Sequence, residues 1–162
     1  MKIIVLSDLH IPSAADDIPE GVYSAIKKAD MLILAGDLGD LDMYDRLKKL
    51  CPLIKAVSGN MDSEALKKKL PDKAVFSVAG IKIGLMHGYG APEKLPEIAG
   101  KTFKNDKVQA VIFGHSHQPF NQTVNGVLYF NPGSPTDKVF APFNSFGILE
   151  INGGIKARIV KL

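Results

Sequence analysis

Five short apolar runs in this chain each stop at a turn bearing side chains that can ligate metal. Ile3–Ser7 leads into Asp8-Leu9-His10. Met31–Ala35 leads into Gly36-Asp37, and Leu53–Val57 into Ser58-Gly59-Asn60. Ile81–Met86 meets His87-Gly88, and Val108–Phe113 meets Gly114-His115-Ser116-His117. All four histidines of the chain lie in these turns. Histidines placed for solubility or packing would scatter. A metal centre gathers them, because imidazole nitrogen is the commonest neutral ligand for Zn, Mn, Fe and Ni.

The spacing between the runs predicts the fold. Pro19–Lys28, Leu41–Leu50 and Ser63–Leu70 read as helices, the last two stopped by Pro52 and Pro71. Short β-branched runs alternating with helices indicate βαβ units and a mainly parallel sheet. The back of the chain changes character. Ala79-Gly80 separates Ala74–Val78 from Ile81–Met86. Asn125-Gly126, a dipeptide suited to a type I′ turn, separates Gln122–Val124 from Val127–Phe130. Asn152-Gly153-Gly154 separates Ser145–Ile151 from Ile155–Val160. Pro92–Phe103 reads as one further helix. The expected class is α/β, with two mixed sheets packed as a sandwich and helices outside, four layers in all. In open α/β sheets the carboxyl ends of strands line the ligand crevice. Five motifs at five strand ends can therefore meet in one pocket.

A chain of 162 residues with no repeat or linker is expected to form one domain, 1–162. No apolar run is long enough to span a membrane. Met1-Lys2 runs straight into Ile3–Leu6, which is too short for a signal peptide, so a cytoplasmic location is expected. A single cysteine, Cys51, agrees with a reducing compartment and reads as a small buried hydrophobe. The net charge of +3 is too small to argue for nucleic acid. Lys48-Lys49 and Lys67-Lys68-Lys69 read as solvated helix faces, with no aromatic residues interleaved for base stacking. A small-molecule substrate is the partner expected, without membrane or nucleic acid, and a homo-oligomer stays open.

Asp8-x-His10, Gly36-Asp37, Gly59-Asn60, His87 and Gly114-His115-x-His117 resemble the five ordered motifs of the calcineurin-like metallophosphoesterases. Any one of them occurs by chance in many proteins; five in order, using every histidine, do not. The short chain and the turn Asn131-Pro132-Gly133-Ser134 resemble the small prokaryotic phosphodiesterase branch of that superfamily. The resemblance implies two divalent transition-metal ions, with Mn, Ni, Fe, Co and Zn all open. Asp8, His10, Asp37 and His117 would hold the first ion, and Asp37, Asn60, His87 and His115 the second, with Asp37 bridging. It also implies hydrolysis of a phosphodiester P–O bond by a metal-bridging hydroxide, with Asp37, Asn60 and His115 at the catalytic core.

One departure matters. Many protein-phosphatase-like members carry a histidine after the motif asparagine, thought to protonate the leaving group. Here that position is Met61, whose thioether donates no proton. Met61 reads as a packing residue at the pocket edge, and Asp62 as a cap for the following helix. Asp40 and Asp42 are explained by a loop and a helix start. Asn131–Ser134 reads as a tight turn behind the site. Tyr89 and Phe120 flank ligand motifs and are candidates for substrate contact. Two other functions share the fold. One is a protein-binding scaffold like the retromer-associated relative, which lacks the full histidine set. The other is an exonuclease, whose extra DNA-binding domain finds no room in this length.

Overall fold

The computed structural model describes residues 1–162. Ten strands and four α-helices follow the expected order. β1 (Lys2–Leu6), β2 (Met31–Ala35) and β3 (Ile54–Val57) alternate with α1 (Glu20–Ile26), α2 (Leu41–Leu50) and α3 (Glu64–Lys69). Then come β4 (Lys73–Val78), β5 (Ile81–Met86), α4 (Leu95–Thr102), β6 (Ala110–Ile112), β7 (Phe120–Val124), β8 (Val127–Asn131), β9 (Ser145–Ile151) and β10 (Ile155–Lys161).

The strands form two five-stranded mixed sheets. One has the order β10-β9-β1-β2-β3 and the other β4-β5-β6-β8-β7. β1-β2-β3 and β5-β6-β8 are parallel, and the remaining neighbours are antiparallel. Residue alternation along each strand sorts the side chains into three cores. Ile4, Leu6, Leu32 and Leu34 face α1, α2 and α3. Ile3, Val5, Ile33, Ile83, Ile112 and Phe130 fill the space between the sheets. Val111 and Phe113 face α4, meeting Leu95, Ala99 and Phe103. Helices, sheet, sheet and helix make the four layers expected.

Local chemistry explains the turns. Asn125 and Gly126 both take positive φ, 50° and 79°, as a type I′ turn requires. The stretch Pro92–Phe103 divides into a 3-10 turn at Pro92–Lys94 and then α4. Pro96 is the cause, since it has no N–H to give the carbonyl of Pro92. Asp40 caps α2 by accepting from the Met43 N–H at 2.9 Å. Cys51 is buried with the helix-side core. No helix is long and apolar enough to cross a membrane.

Candidate metal centre

Each ligand-type residue sits just past a strand end, where the chain leaves its sheet. Those turns are tight. Asp8, His10, Asp37, His115 and His117 all have φ between 46° and 69°, the left-handed region that costs a side-chain-bearing residue free energy. Such conformations persist only where the surroundings enforce them. Three hydrogen bonds tie the first motif to the second: Asp8 N–H to Gly36 O at 3.1 Å, His10 N–H to Asp37 O at 2.9 Å and Ile11 N–H to Leu38 O at 3.1 Å. The Asn131–Ser134 turn backs the site as expected. Ser134 donates its hydroxyl to Asp8 O at 2.7 Å, and Asn131 gives its amide to Gly114 O at 2.8 Å.

The structure brings all seven expected residues together. His10 Nε2 lies 3.2 Å from His117 Nε2. His117 Nε2 is 3.4 Å from Asp8 Oδ1, and His10 Nε2 is 3.7 Å from Asp37 Oδ2. On the other side, Asp37 Oδ2 is 3.1 Å from His87 Nε2. Asn60 Oδ1 lies 3.1 Å from His87 Nε2 and 3.2 Å from His115 Nδ1. Asp37 thus reaches both groups. Asp8 also falls in both: donor atoms of Asp8, His10 and His117 lie within 4.8 Å of one another, as do those of Asp8, Asp37 and His87.

The donor set fits divalent cations. Asp8 and Asp37 are buried side by side, yet no lysine or arginine pairs with either; the only groups of opposite charge at hand are histidines. Two nitrogens about 2.1 Å from one cation, at tetrahedral to octahedral angles, stand roughly 3.0–3.4 Å apart. The His10–His117 separation of 3.2 Å falls in that range. Three histidines also have their other nitrogen taken. His87 Nδ1 donates to Ala35 O at 2.8 Å, His115 Nε2 to Gly90 O at 3.2 Å, and His117 Nδ1 to Asp137 at 2.6 Å. Each bond selects the tautomer whose free nitrogen points inward, as metal-bound histidines require.

Electrostatics agree. Burial pushes the Asp8 carboxyl up, and His87 and His117 offset it only in part. Burial would raise Asp37 too, but its hydrogen bond to His87 and the imidazole charges hold it below the usual range. Burial disfavours a charged His87, yet the bond to Asp37 and the charges of Asp8 and Asp37 push its pKa up to about 9. A cation at this nitrogen must displace that proton, so loading is favoured by alkaline pH.

Three expectations are corrected. Asp62 does not cap α3: the Ser63 hydroxyl does, accepting from Leu66 N–H at 3.4 Å. Asp62 is instead a buried brace, accepting from the N–H groups of Asp37 at 3.1 Å, Gly39 at 2.9 Å and Gly59 at 2.7 Å. Three converging donors, two of them fully buried, call for a carboxylate, which accepts more strongly than a hydroxyl. Met61 is not packed: it is 65 % exposed and borders the cleft. Its backbone N–H, donating to Asp37 Oδ1 at 2.7 Å, is what holds it there. Phe120 does not reach the cleft; its ring packs tilted at 50° against that of Phe113, 5.9 Å between centroids, in the outer core. Tyr89, also 65 % exposed, borders a second opening of about 470 Å³ beyond Asn60 and His87.

The main cleft, about 590 Å³, opens over His10, Asp37, Asn60, His115 and His117. One wall, beside His117, is made by Asp137, Val139 and Phe140, which the sequence motifs do not include. Nothing in that segment repeats a motif or follows an apolar run, and Asp137 stands twenty residues beyond the histidine it holds.

Residues 1–154 match the model of the calcineurin-like phosphoesterase superfamily domain. A probable metallophosphoesterase of Methanothermobacter thermautotrophicus is 35 % identical over 84 % of this chain and 78 % of its own length. The solution structure of a Thermotoga maritima protein is 33 % identical, covers 99 % of each chain and superposes with a TM-score of 0.78. The crystal structure of Vps29 from Entamoeba histolytica, complexed with zinc, is 28 % identical over 99 % of each chain, with a TM-score of 0.76.

Proposed function

The chain belongs to the calcineurin-like phosphoesterase superfamily, and from that premise we propose that it is a phosphodiesterase dependent on two divalent metal ions. The observation that carries this is the paired orientation of the histidines. Outer nitrogens are held by Ala35 O, Gly90 O and Asp137, while inner nitrogens converge on two buried carboxylates and the Asn60 amide oxygen. Asp8, His10, Asp37 and His117 would hold one ion; Asp37, Asn60, His87 and His115 would hold the other. Asp8, which borders both groups, adds negative charge to the second. A pair of such ions supplies Lewis acidity towards a phosphoryl oxygen and lowers the pKa of an attacking water.

This chain's residues supply the rest. Asn60 and His115 sit on the open side of the centre, where a phosphate oxygen enters. Asp62 locks the Asp37 and Gly59 turns together, so the centre does not have to reorganise as charge develops. The Met61 side chain cannot protonate a departing alkoxide, which favours diesters with good leaving groups over alkyl monoesters. The similarity to Vps29 supports a second reading, a scaffold that binds protein partners. The two are separated by assaying protein reconstituted with Mn or Ni against bis-p-nitrophenyl phosphate and p-nitrophenyl phosphate. Turnover of the diester that disappears in Asp37→Ala supports the enzyme. Metal-loaded protein that hydrolyses neither ester supports the scaffold.

A further inference from the structure

Two large apolar side chains stand in water at the edge of the metal centre. Val139 is 77 % exposed and Phe140 70 % exposed, and both line the main cleft. They are not there by loose tethering. The Asp137 carboxylate accepts from the N–H groups of Val139 at 2.8 Å, Phe140 at 3.0 Å and Ala141 at 2.7 Å, and Asn144 gives its side-chain amide to Asp137 O at 2.5 Å. The same carboxylate holds His117, and the Phe140 ring meets the His117 ring edge-on at 5.8 Å and 83°. One residue thus fixes both a candidate ligand and an apolar wall beside it.

A phosphate group alone would leave most of a 590 Å³ cleft unfilled. A phosphodiester brings two organic groups, of which only one departs. Phe140, with Val139 beside it and the soft Met61 side chain also on the cleft, offers that remaining group an aromatic contact. Building on the phosphodiesterase reading above, we infer that Phe140 and Val139 form a binding wall for a flat aromatic ester group, so that the substrate is an aryl or nucleoside phosphodiester. Base–aromatic contacts of this kind tolerate many rings, because every ring has a π face.

The test uses the Mn-loaded protein and two probes with one negative charge each, methyl phenylphosphonate, which carries an aromatic ring, and methyl methylphosphonate, which does not. Calorimetry gives the ratio of their Kd values. The phenyl compound should bind about five- to tenfold tighter. Phe140→Ala should bring the ratio close to one, Val139→Ala should reduce it in part, and Phe140→Trp should keep it. Because both side chains face solvent, these changes leave the cores alone. A wild-type ratio near one, no detectable binding of either probe, or a ratio unchanged in both alanine variants overturns the inference. So does sedimentation showing that Phe140→Ala splits a dimer while the ratio stands, since the patch would then serve a second copy. A parallel arm follows p-nitrophenol release from its phenyl, thymidine-5′ and methyl phosphodiesters. The faster of the first two identifies the aromatic source. If the Kd ratio behaves as expected but no diester is turned over, the wall stands and the phosphodiesterase proposal falls.

Discussion

His117 donates its Nδ1–H to the Asp137 carboxylate at 2.6 Å, which leaves only Nε2 to face His10 and Asp8. Outer partners of this sort are typically worth roughly 10- to 100-fold in metal affinity. Asp137→Ala is therefore expected to weaken binding of the ion shared by His10 and His117 by that factor. Asp137→Asn, which can still accept through its amide oxygen, should lose less. Competition against a fluorescent chelator measures both. Equal affinity in wild type and Asp137→Ala would rule out this role.

Asp37 and Asn60 should differ in weight. Asp37 reaches His10 at 3.7 Å and His87 at 3.1 Å, so its removal disturbs both halves of the centre. Asn60 is neutral and touches only His87 and His115. Asp37→Ala is expected to lose more bound metal and more activity than Asn60→Ala. Elemental analysis after reconstitution should approach two equivalents in wild type. Similar metal content and turnover in the two variants would count against Asp37 as the bridge.

Gly59 is a packing requirement. A Cβ there would collide with the Asp37 carboxylate and backbone nitrogen. Gly59→Ala should cost about 1–3 kcal/mol, the usual range for overpacking a tight site, and should reduce metal uptake as well. Gly154→Ala is the control, since its Cβ meets nothing within 4 Å and its φ is not in the left-handed region. It should stay within about 0.5 kcal/mol of wild type. Urea denaturation read as the midpoint at constant slope compares them. Equal midpoints would show that the Asp37 turn yields freely.

Metal should stabilise a site that holds five ligand-type residues at positive φ and two buried carboxylates. An ion at 100 times its Kd adds about 2.7 kcal/mol through linkage. At this chain length that corresponds to a rise in Tm of roughly 5–10 °C. Stripping with a chelator should lower the Tm by this amount and re-addition of Mn should restore it. The shift should largely vanish in Asp37→Ala. A Tm indifferent to Mn in the wild-type protein would argue against an ordered metal centre.

The parts legible in the sequence are those that periodicity and residue type encode. Ile3–Leu6 and Met31–Ala35 read as strands because their apolar runs are short and set between helical stretches, the first of them β-branched at Ile3, Ile4 and Val5, and Asn125-Gly126 specifies its own turn geometry. The seven ligand-type residues stood out because histidine is rare here and always follows a strand. Asp62 and Asp137 did not, because their partners are backbone N–H groups and a distant ring, which leave no mark on the pattern around them. Asp62 even sits beside a helix start, where capping is the ordinary expectation. Its true partners become visible only when the Asp37 and Gly59 turns are folded against each other.

Met61 borders the cleft and is anchored through its N–H to Asp37, so a side chain at this position is held near the reacting phosphate without being able to give it a proton. Asp62 does not substitute: it is buried, and its oxygens already accept three N–H bonds. A diester with an aryl leaving group needs little protonation, whereas an alkyl monoester needs a great deal. With Mn or Ni bound, the protein is expected to hydrolyse bis-p-nitrophenyl phosphate with a far higher kcat/KM than glycerol 2-phosphate, a monoester whose alkoxide leaving group needs a proton. Met61→His places an imidazole at the exposed rim with no core contact to repack. A well-placed general acid is worth roughly 100-fold or more, and a surface imidazole that must find its own alignment should still shift the monoester-to-diester ratio by about tenfold. That ratio, measured for both proteins across pH 6 to 9, carries the test, since the gain should fade as the new imidazole loses its proton. A wild-type preference for monoesters would overturn the argument from Met61. A gain that does not depend on pH would assign the effect to changed packing at the rim instead of proton transfer.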